Sequence, residues 1–185
     1  MTTVHRARAV RLTEDGEQHP DWAVAVTGAL LTAAGPYEEV RAAAGGHARV
    51  REWDGVLAPG RYEPYAPVLL ETAYYPDPQE ADELGTAPLT GDALAALGMS
   101  EARWGWSARR GLQRLLAAGT TALSGPFAHP AVRTAVERSG IRVLPGPPAG
   151  PRALAVPGPA DFAVFADDGS ALATVLDGRL VHRRR

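Results

Sequence analysis

The chain has 185 residues and a formal net charge of −2, so it can form one sizeable domain or two small ones. A hydrophobic fraction of 45% permits a packed core, and the near-neutral charge gives no electrostatic case for binding nucleic acid or an anionic membrane. Because the sequence contains neither cysteine nor lysine, disulfides, thiolate catalysis, cysteine-ligated zinc, lysine Schiff bases and a Walker-type phosphate site are excluded. No apolar run approaches the ~20 residues of a membrane span and no leader-like apolar region precedes Val10, so we expect a cytoplasmic protein.

The first part of the chain predicts strands. Arginine alternates with small apolar residues over His5–Leu12, which is typical of a strand with one solvated face. Trp22–Val26 and Ala29–Ala33 flank a tight turn and therefore predict a hairpin. A short amphipathic helix is predicted over Tyr37–Ala44, and another strand over Ala48–Trp53.

Two turns are predicted after that strand. The first is Asp54-Gly55, a common turn dipeptide. The second is Pro59-Gly60, because proline fixes φ and glycine admits positive φ.

The middle of the chain predicts helices separated by short strands. Thr90 is placed to cap a short helix over Gly91–Leu97, and Ser100 is placed to cap a long helix over Glu101–Ala118. The apolar face of the long helix contains Trp104, Ala108, Leu112, Leu115 and Leu116. A strand over Thr120–Leu123, a helix from His129-Pro130 to Gly140 and a strand over Ile141–Leu144 follow.

A segment rich in proline and glycine, 145–159, then predicts a linker. The predicted closing strands are Ala160–Phe165, Ala171–Leu176 and Arg179–His182.

Three short motifs in this order resemble the N-terminal part of metal-dependent amidohydrolases, in particular imidazolonepropionase and aminodeoxyfutalosine deaminase. They are Ala23-Val24-Ala25-Val26-Thr27-Gly28, Ala34-Gly35-Pro36 and Gly55-Val56-Leu57-Ala58-Pro59-Gly60. The closing strands resemble the end of the same family. The resemblance implies an α+β fold in which 1–60 and 152–185 form a composite β-sandwich. Residues 61–151 would form a truncated α/β, barrel-like segment with its linker, because a complete barrel needs about 250 residues.

The resemblance also implies where a metal site would lie. In the family, the first barrel strand follows the Pro-Gly turn and carries two histidine ligands, and the nearest counterparts here are Tyr65 and Pro67. Neither supplies an imidazole nitrogen. The five histidines are His5, His19, His47, His129 and His182, and no two have the spacing of a ligand pair. We therefore expect no metal site, no cofactor and no established catalytic residue, with Glu63 and Glu71 as weak catalytic candidates.

Several residues are candidates for binding a ligand. Aromatic residues concentrate between Arg61 and Ser107, where they could line a pocket or an interface. An arginine pair on the long helix could clamp a carboxylate or phosphate, although a solvated helix face is the alternative. The candidate ligand-binding residues are Tyr65, Glu71, Tyr74, Trp106, Arg109, Arg110 and His129. Glu71 could also be a solvated carboxylate, and His129 a helix-capping residue.

Three functions stay open at this point. The first is a degenerate amidohydrolase-like protein that binds a small molecule, or that forms a homodimer or binds a partner subunit to cover the open strand edges. The second, implied by the resemblance, is a hydrolase or deaminase of non-peptide C–N bonds with a link to menaquinone synthesis. The third is a regulatory or scaffold subunit that docks on a true amidohydrolase.

Overall fold

A computed structural model describes residues 1–184, so Arg185, the last residue of the predicted closing segment, lies outside the described residues. The strands are β1 Thr2–Arg11, β2 Gln18–Pro20, β3 Trp22–Thr27, β4 Leu30–Pro36, β5 Arg49–Pro59, β6 Arg61–Glu63, β7 Thr120–Ser124, β8 Arg142–Leu144, β9 Gly158–Pro159, β10 Phe162–Phe165, β11 Ala171–Leu176 and β12 Arg179–Arg183. The helices are α1 Tyr37–Ala44, α2 Ala66–Glu71, α3 Ala81–Leu84, α4 Gly91–Ala95, α5 Glu101–Ala117 and α6 Pro130–Ser139, with a 3₁₀ turn at Pro78–Glu80.

The chain divides into two compact units. The first contains Met1–Arg61, Leu116–Thr121 and the chain from Pro148 on, and the second contains Tyr62–Leu115 and Ala122–Pro147. Each unit is described by itself below.

The first unit is built on one mixed sheet that contains strands from both ends of the chain. The strand order is β12-β11-β10-β5-β1-β3-β4-β9, and β2 pairs with β1. The pairing of β1 with β5 is parallel, and that of β5 with β10 is antiparallel. The prediction that the two ends of the chain pack together is therefore confirmed, and the structure as a whole is a mixed α/β fold with one large mixed sheet.

The sheet curls back on itself. Strand β9 pairs with β4 and strand β10 pairs with β5, yet only two residues separate β9 from β10. The three residue steps from Pro159 to Phe162 span at most about 11 Å, so the β4 end of the sheet must lie close to β10.

Both faces of the sheet are covered by a hydrophobic core. One core contains Val10, Val24, Leu31, Leu57, Phe162, Val164 and Val175, and the other contains Val4, Ala23, Ala25 and Val40 of α1.

The predicted turn at Asp54-Gly55 is wrong, because β5 continues through it. Opposite this dipeptide the register shifts, since Ala7 pairs with Trp53 and Ala9 with Val56. A β-bulge thus accommodates an extra residue within β5. A Cβ on Gly55 would lie 2.5 Å from the carbonyl oxygen of Phe165, so the glycine permits the close approach of β10.

The second unit contains a three-stranded sheet in the order β6-β7-β8, in which β7 and β8 are parallel. The prediction that Tyr65 and Pro67 lie on a barrel strand after Pro59-Gly60 is wrong, since β6 ends at Glu63 and α2 follows. The reason is local, because Pro67 is tolerated in the first turn of a helix and Ala66 and Leu70 bury one face at a spacing of four.

Helix α5 packs closely against this part of the unit. A Cβ on Gly111 would lie 2.6 Å from Leu70 Cδ2 and 2.8 Å from Tyr75 Cε2, so only glycine fits there. The hydroxyl of Ser107, which is buried, accepts a hydrogen bond from the backbone N–H of Tyr75 at 3.0 Å. As predicted, the Ser100 hydroxyl caps α5, accepting from the N–H of Arg103 at 3.3 Å.

His5 is a buried imidazole in the first unit, with 1% of its surface exposed. Its Nδ1 accepts a hydrogen bond from Trp53 Nε1 at 3.2 Å, and its ring meets Phe162 edge-on with 5.0 Å between centroids. Burial first, and then the nearby charge of Arg51, lower the pKa of His5 to about 4.

We expect acid to destabilise the fold through His5. Its folded-state pKa is depressed, so its neutral form is favoured on folding; stability is flat above pH 6.5 and falls as the pH drops towards 4. Between pH 7.5 and 4.5 the loss is about 2 to 3 kcal/mol. Over the same pH range, the free energy of unfolding of the His5→Phe variant should fall by less than that of the parent, and the difference should equal this loss. Urea denaturation measures both values. Equal losses in the two proteins would contradict this assignment.

Candidate functional site

Helix α5 has two faces with different roles. Ser107, Ala108, Gly111 and Leu112 are buried and pack into the second unit. At about 100° per residue, the opposite side carries side chains at spacings of three, four and three. These are Arg103, Trp106, Arg110 and Gln113, with Arg109 beside them, and all five line one cleft.

The opposite wall of the cleft is the segment Tyr74–Glu80. Asp77 and Glu80 form a capping box around the 3₁₀ turn, in which Glu80 Oε2 accepts from the backbone N–H of Asp77 at 2.9 Å. The hydroxyl of Tyr74 donates to the same carboxylate at 2.5 Å, and its ring is almost wholly buried. The segment is therefore fixed by its own hydrogen bonds.

Arg103 and Arg110 fasten this segment to α5. Arg103 donates to Glu80 at 3.0 Å and to the carbonyl oxygen of Leu97 at 2.7 Å. Arg110 donates to the carbonyl oxygen of Tyr75 at 2.6 Å and to Asp77 at 3.2 Å.

The two guanidinium groups also lie 5.0 and 5.5 Å from the ring centroid of Tyr74, within cation–π distance. Both arginines are thus engaged in holding the cleft together.

The cleft has a volume of about 530 Å³ and is lined by Tyr74, Asp77, Gln79, Glu80, Arg103, Trp106, Arg109, Arg110 and Gln113. Three arginines face two carboxylates, which leaves one positive charge. Gln79 and Gln113 add neutral amide donors and acceptors. This combination suits a small ligand that carries a negative charge.

Two lining side chains are not used by the surrounding structure. Arg109 is exposed and forms no hydrogen bond or ion pair with any residue of 1–184. Trp106 is 52% exposed, and within the same residues its indole N–H has no acceptor. Of the predicted arginine pair, Arg110 is therefore a structural residue, and Arg109 is the one that can contact a ligand.

The ionisation of the wall follows from these contacts. The hydrogen bond from Tyr74, the backbone N–H of Asp77 and then Arg103 lower the pKa of Glu80 to about 2. Burial, followed by the hydrogen bond to Glu80, raises the pKa of the Tyr74 phenol. At neutral pH Glu80 is ionised and Tyr74 is protonated, so the wall keeps its hydrogen bonds.

The remaining sequence candidates do not lie in this cleft. Glu63 accepts a hydrogen bond from the backbone N–H of Tyr65 at 2.9 Å, and Tyr65 itself is 68% exposed. Glu71 accepts from the backbone N–H of His129 at 2.7 Å. The ring of His129 packs on Trp104, with 5.0 Å between centroids. These carboxylates therefore stabilise local backbone at positions away from the cleft.

The sequence did not reveal five of the nine lining residues. Asp77, Gln79, Glu80, Arg103 and Gln113 were not among the candidates. A signal for two of them was present, because Asp77 and Glu80 have the three-residue spacing of a capping box. Arg103 lies seven residues before Arg110, two turns along the same helix face.

Comparison with known proteins supports the fold. No protein-family model matches the chain, and no curated protein matches it. Among solved structures, guanine deaminase of E. coli aligns with 77% of this chain and 36% of its own, at 12% identity and a TM-score of 0.54. An adenosine deaminase from Xanthomonas campestris with bound zinc aligns with 77% of this chain and 33% of its own, at 18% identity and a TM-score of 0.52.

An ochratoxinase from A. niger aligns with 77% of this chain and 30% of its own, at 17% identity and a TM-score of 0.50. Two of these three neighbours are deaminases, and the third is an ochratoxinase. The chain spans about a third of their length, and the likeness at these identities concerns the fold alone.

The residues at the positions implied for a metal do not fit zinc. Tyr65 precedes the first residue of α2 and Pro67 lies in its first turn, and neither offers a neutral nitrogen ligand. Throughout residues 1–184, no three histidine, aspartate or glutamate side chains are grouped so that they could hold a metal ion.

None of the helices in the described part of the chain is both long enough and apolar enough to span a membrane.

We expect the Tyr74→Phe variant to raise the pKa of Glu80 towards its ordinary value, because the first contributor to its low pKa is lost. The carboxyl-carbon chemical shift of Glu80 followed by NMR during an acid titration measures this. Tyr75→Phe is the matched control, since no residue of 1–184 forms a hydrogen bond with the Tyr75 hydroxyl. A Glu80 pKa that stays near 2 in Tyr74→Phe would contradict the network.

Proposed function

We propose that this chain is a small-ligand-binding protein on an amidohydrolase-like fold, without an independent metal site, and that its ligand is an anion bound in the α5 cleft. The observation that carries the proposal is the unused guanidinium of Arg109, held in a cleft whose other arginines are already engaged. A free, always-charged fork of N–H donors at a preformed wall is suited to a carboxylate or phosphate.

The fold supports the same proposal. The mixed sheet of the first unit corresponds, in our proposal, to the composite sandwich of amidohydrolases, and the β6-β7-β8 sheet to the opening strands of their barrel. The domain boundaries proposed from the sequence are 1–60 with 152–185, and 61–151. In this arrangement the scaffold is kept, and Tyr65 and Pro67, the sequence counterparts of two metal ligands, lie at the start of α2 instead of on a strand.

The preformed wall lowers the cost of binding. Hydrogen bonds already fix the wall and join it to α5 without a ligand: Tyr74 and Arg103 donate to Glu80, and Arg110 donates to Asp77. Binding then orders the Arg109 side chain and the ligand, while the wall itself needs no rearrangement. We expect a small anion without further contacts to bind with a dissociation constant of about 1 mM.

An alternative is a hydrolase or deaminase of C–N bonds, which is the activity class of the solved structures named above. In that case Glu63 or Glu71, or ligands from a second chain, would have to supply the chemistry. Stoichiometric zinc in the purified chain, with turnover that disappears on chelation, would favour this alternative.

The predicted homodimer or partner subunit stays a prediction. The feature that favours it is the exposed Val143 on β8, which ends the strand order of the small sheet. A regulatory subunit that docks on a true amidohydrolase would use the same surface.

Titration with sodium acetate or inorganic phosphate at constant ionic strength tests the proposed function. We expect saturable NMR shift changes confined to the backbone amides of 74–80 and 103–113. Arg109→Gln should weaken binding about tenfold, because it removes a charge-assisted hydrogen bond. Gln113→Glu should also weaken it, since a carboxylate four residues from Arg109 competes for that guanidinium.

Arg138→Gln is the control for general loss of positive charge. Arg138 is exposed on α6 and lies outside the lining of the cleft. Its replacement should leave the affinity unchanged. Equal affinity of the parent and Arg109→Gln, or shift changes centred away from the two segments, would contradict the proposed function.

A further inference from the structure

We infer that the ligand of the α5 cleft is an aromatic acid, a planar ring bearing a carboxylate or phosphate, which stacks on Trp106 and places its anionic group at Arg109. This inference rests on the proposed function and specifies its ligand. It depends on the exposure of Trp106 and on its lack of a ring partner, which are not part of the argument for the proposed function.

Trp106 differs from the other tryptophans of the described chain. Trp22 stacks on His19 with 4.1 Å between ring centroids, Trp53 lies parallel to His5 at 6.1 Å, and Trp104 packs on His129 at 5.0 Å. Within residues 1–184, Trp106 has no ring partner and no hydrogen-bond acceptor. A large exposed indole on a cleft wall is the kind of surface that a planar ligand covers.

The spacing of Trp106 and Arg109 fixes the shape of the ligand. Residues three apart on a helix are neighbours, with about 5 to 6 Å between their Cβ atoms. A ring that carries its acid group directly can cover the indole and reach the guanidinium at once. A long flexible chain between ring and acid would place the charge past Arg109.

The charges around the cleft favour the Arg109 end as the place for the acid group of the ligand. Asp77 and Glu80 are paired with Arg110 and Arg103, so their negative charge is compensated. Arg109 provides the positive charge that remains unpaired among the described residues. Gln113, four residues on, can donate an amide hydrogen to the same anion.

A second cavity also reaches Trp106 and Arg109. It lies between α5 and α6, has a volume of about 430 Å³, and is lined by Glu101, Ala102, Gly105, Trp106, Arg109, Pro130, Ala131, Thr134, Ala135 and Arg138. Its floor consists of small residues, and it contains the carboxylate of Glu101. The α5 cleft is the better site for an acid, because it has three arginines and two glutamines.

Benzoate and cyclohexanecarboxylate form the matched pair of probes, since they have similar size and the same charge and differ in aromaticity. We expect benzoate to bind the parent protein about threefold to tenfold more tightly, from the stacking contribution. Trp106→Leu should abolish that preference while cyclohexanecarboxylate keeps its affinity to within about twofold. Phenyl phosphate compared with inorganic phosphate repeats the test for the phosphate form of the ligand.

The outcomes separate the two proposals. If acetate and phosphate do not bind in the α5 cleft, the proposed function fails. If they bind there but benzoate is no better than cyclohexanecarboxylate, or Trp106→Leu keeps the preference, only the aromatic inference is overturned. Loss of benzoate binding in Arg138→Gln but not in Gln113→Glu would place the ligand in the α5–α6 cavity and also overturn it.

Discussion

The ion-pair and hydrogen-bond network around Tyr74 is the constraint on which the candidate site depends. Tyr74 donates to Glu80, Glu80 pairs with Arg103, and Arg110 bonds to Asp77 and the Tyr75 backbone. Isolated surface ion pairs contribute little, about 0 to 1 kcal/mol, but here several charges share one network with a buried ring and a capped turn. The network fixes the distance between the wall and α5, and so the width of the cleft.

The same network explains why neighbouring residues have different roles. Arg109 and Arg110 are adjacent in sequence, but they lie 100° apart on α5. Arg110 faces the segment Tyr74–Glu80 and is engaged by it, whereas Arg109 is not. The protein therefore separates the arginines that build the site from the one available to a ligand. That separation is what allows a site of net positive charge in a protein of net negative charge.

Much of the fold follows from local patterns, and the exceptions are non-local. Helices α1, α5 and α6 lie where their apolar faces and terminal residues indicate, and the strands of both termini were found where alternation predicts them. The predicted cap of α4 is wrong, because the Thr90 side chain forms no capping hydrogen bond. The bulge at Gly55 was missed because it lies in the pairing of β5 with the distant strand β1, and Gly55 is packed against Phe165, more than a hundred residues later. Helix α2 was missed because the family pattern implies a strand there. Its burial of Ala66 and Leu70 overrides that pattern.

The residues predicted for the site also fall into two groups, those that the structure brings into the α5 cleft and those that lie outside it. Tyr74, Trp106, Arg109 and Arg110 were predicted from residue type, and the structure brings them into one cleft. Glu63, Glu71, Tyr65 and His129 were predicted from their place after the Pro-Gly turn or near a strand end. In the structure Glu63 and Glu71 accept hydrogen bonds from backbone amides, Tyr65 is exposed and His129 packs on Trp104, all outside the α5 cleft. Sequence spacing identifies chemical types, but pairing between distant segments decides which groups stay free for a ligand.

The most direct test of the central claim is a crystal structure of the chain with 4-iodobenzoate, in which anomalous scattering from iodine locates the ligand. We expect the iodine peak in the α5 cleft, with the ring on Trp106 and the carboxylate at Arg109. An ordered ligand beside Glu63 and Ser124 at the ends of β6 and β7, or no ordered ligand at saturating concentration, would contradict the account.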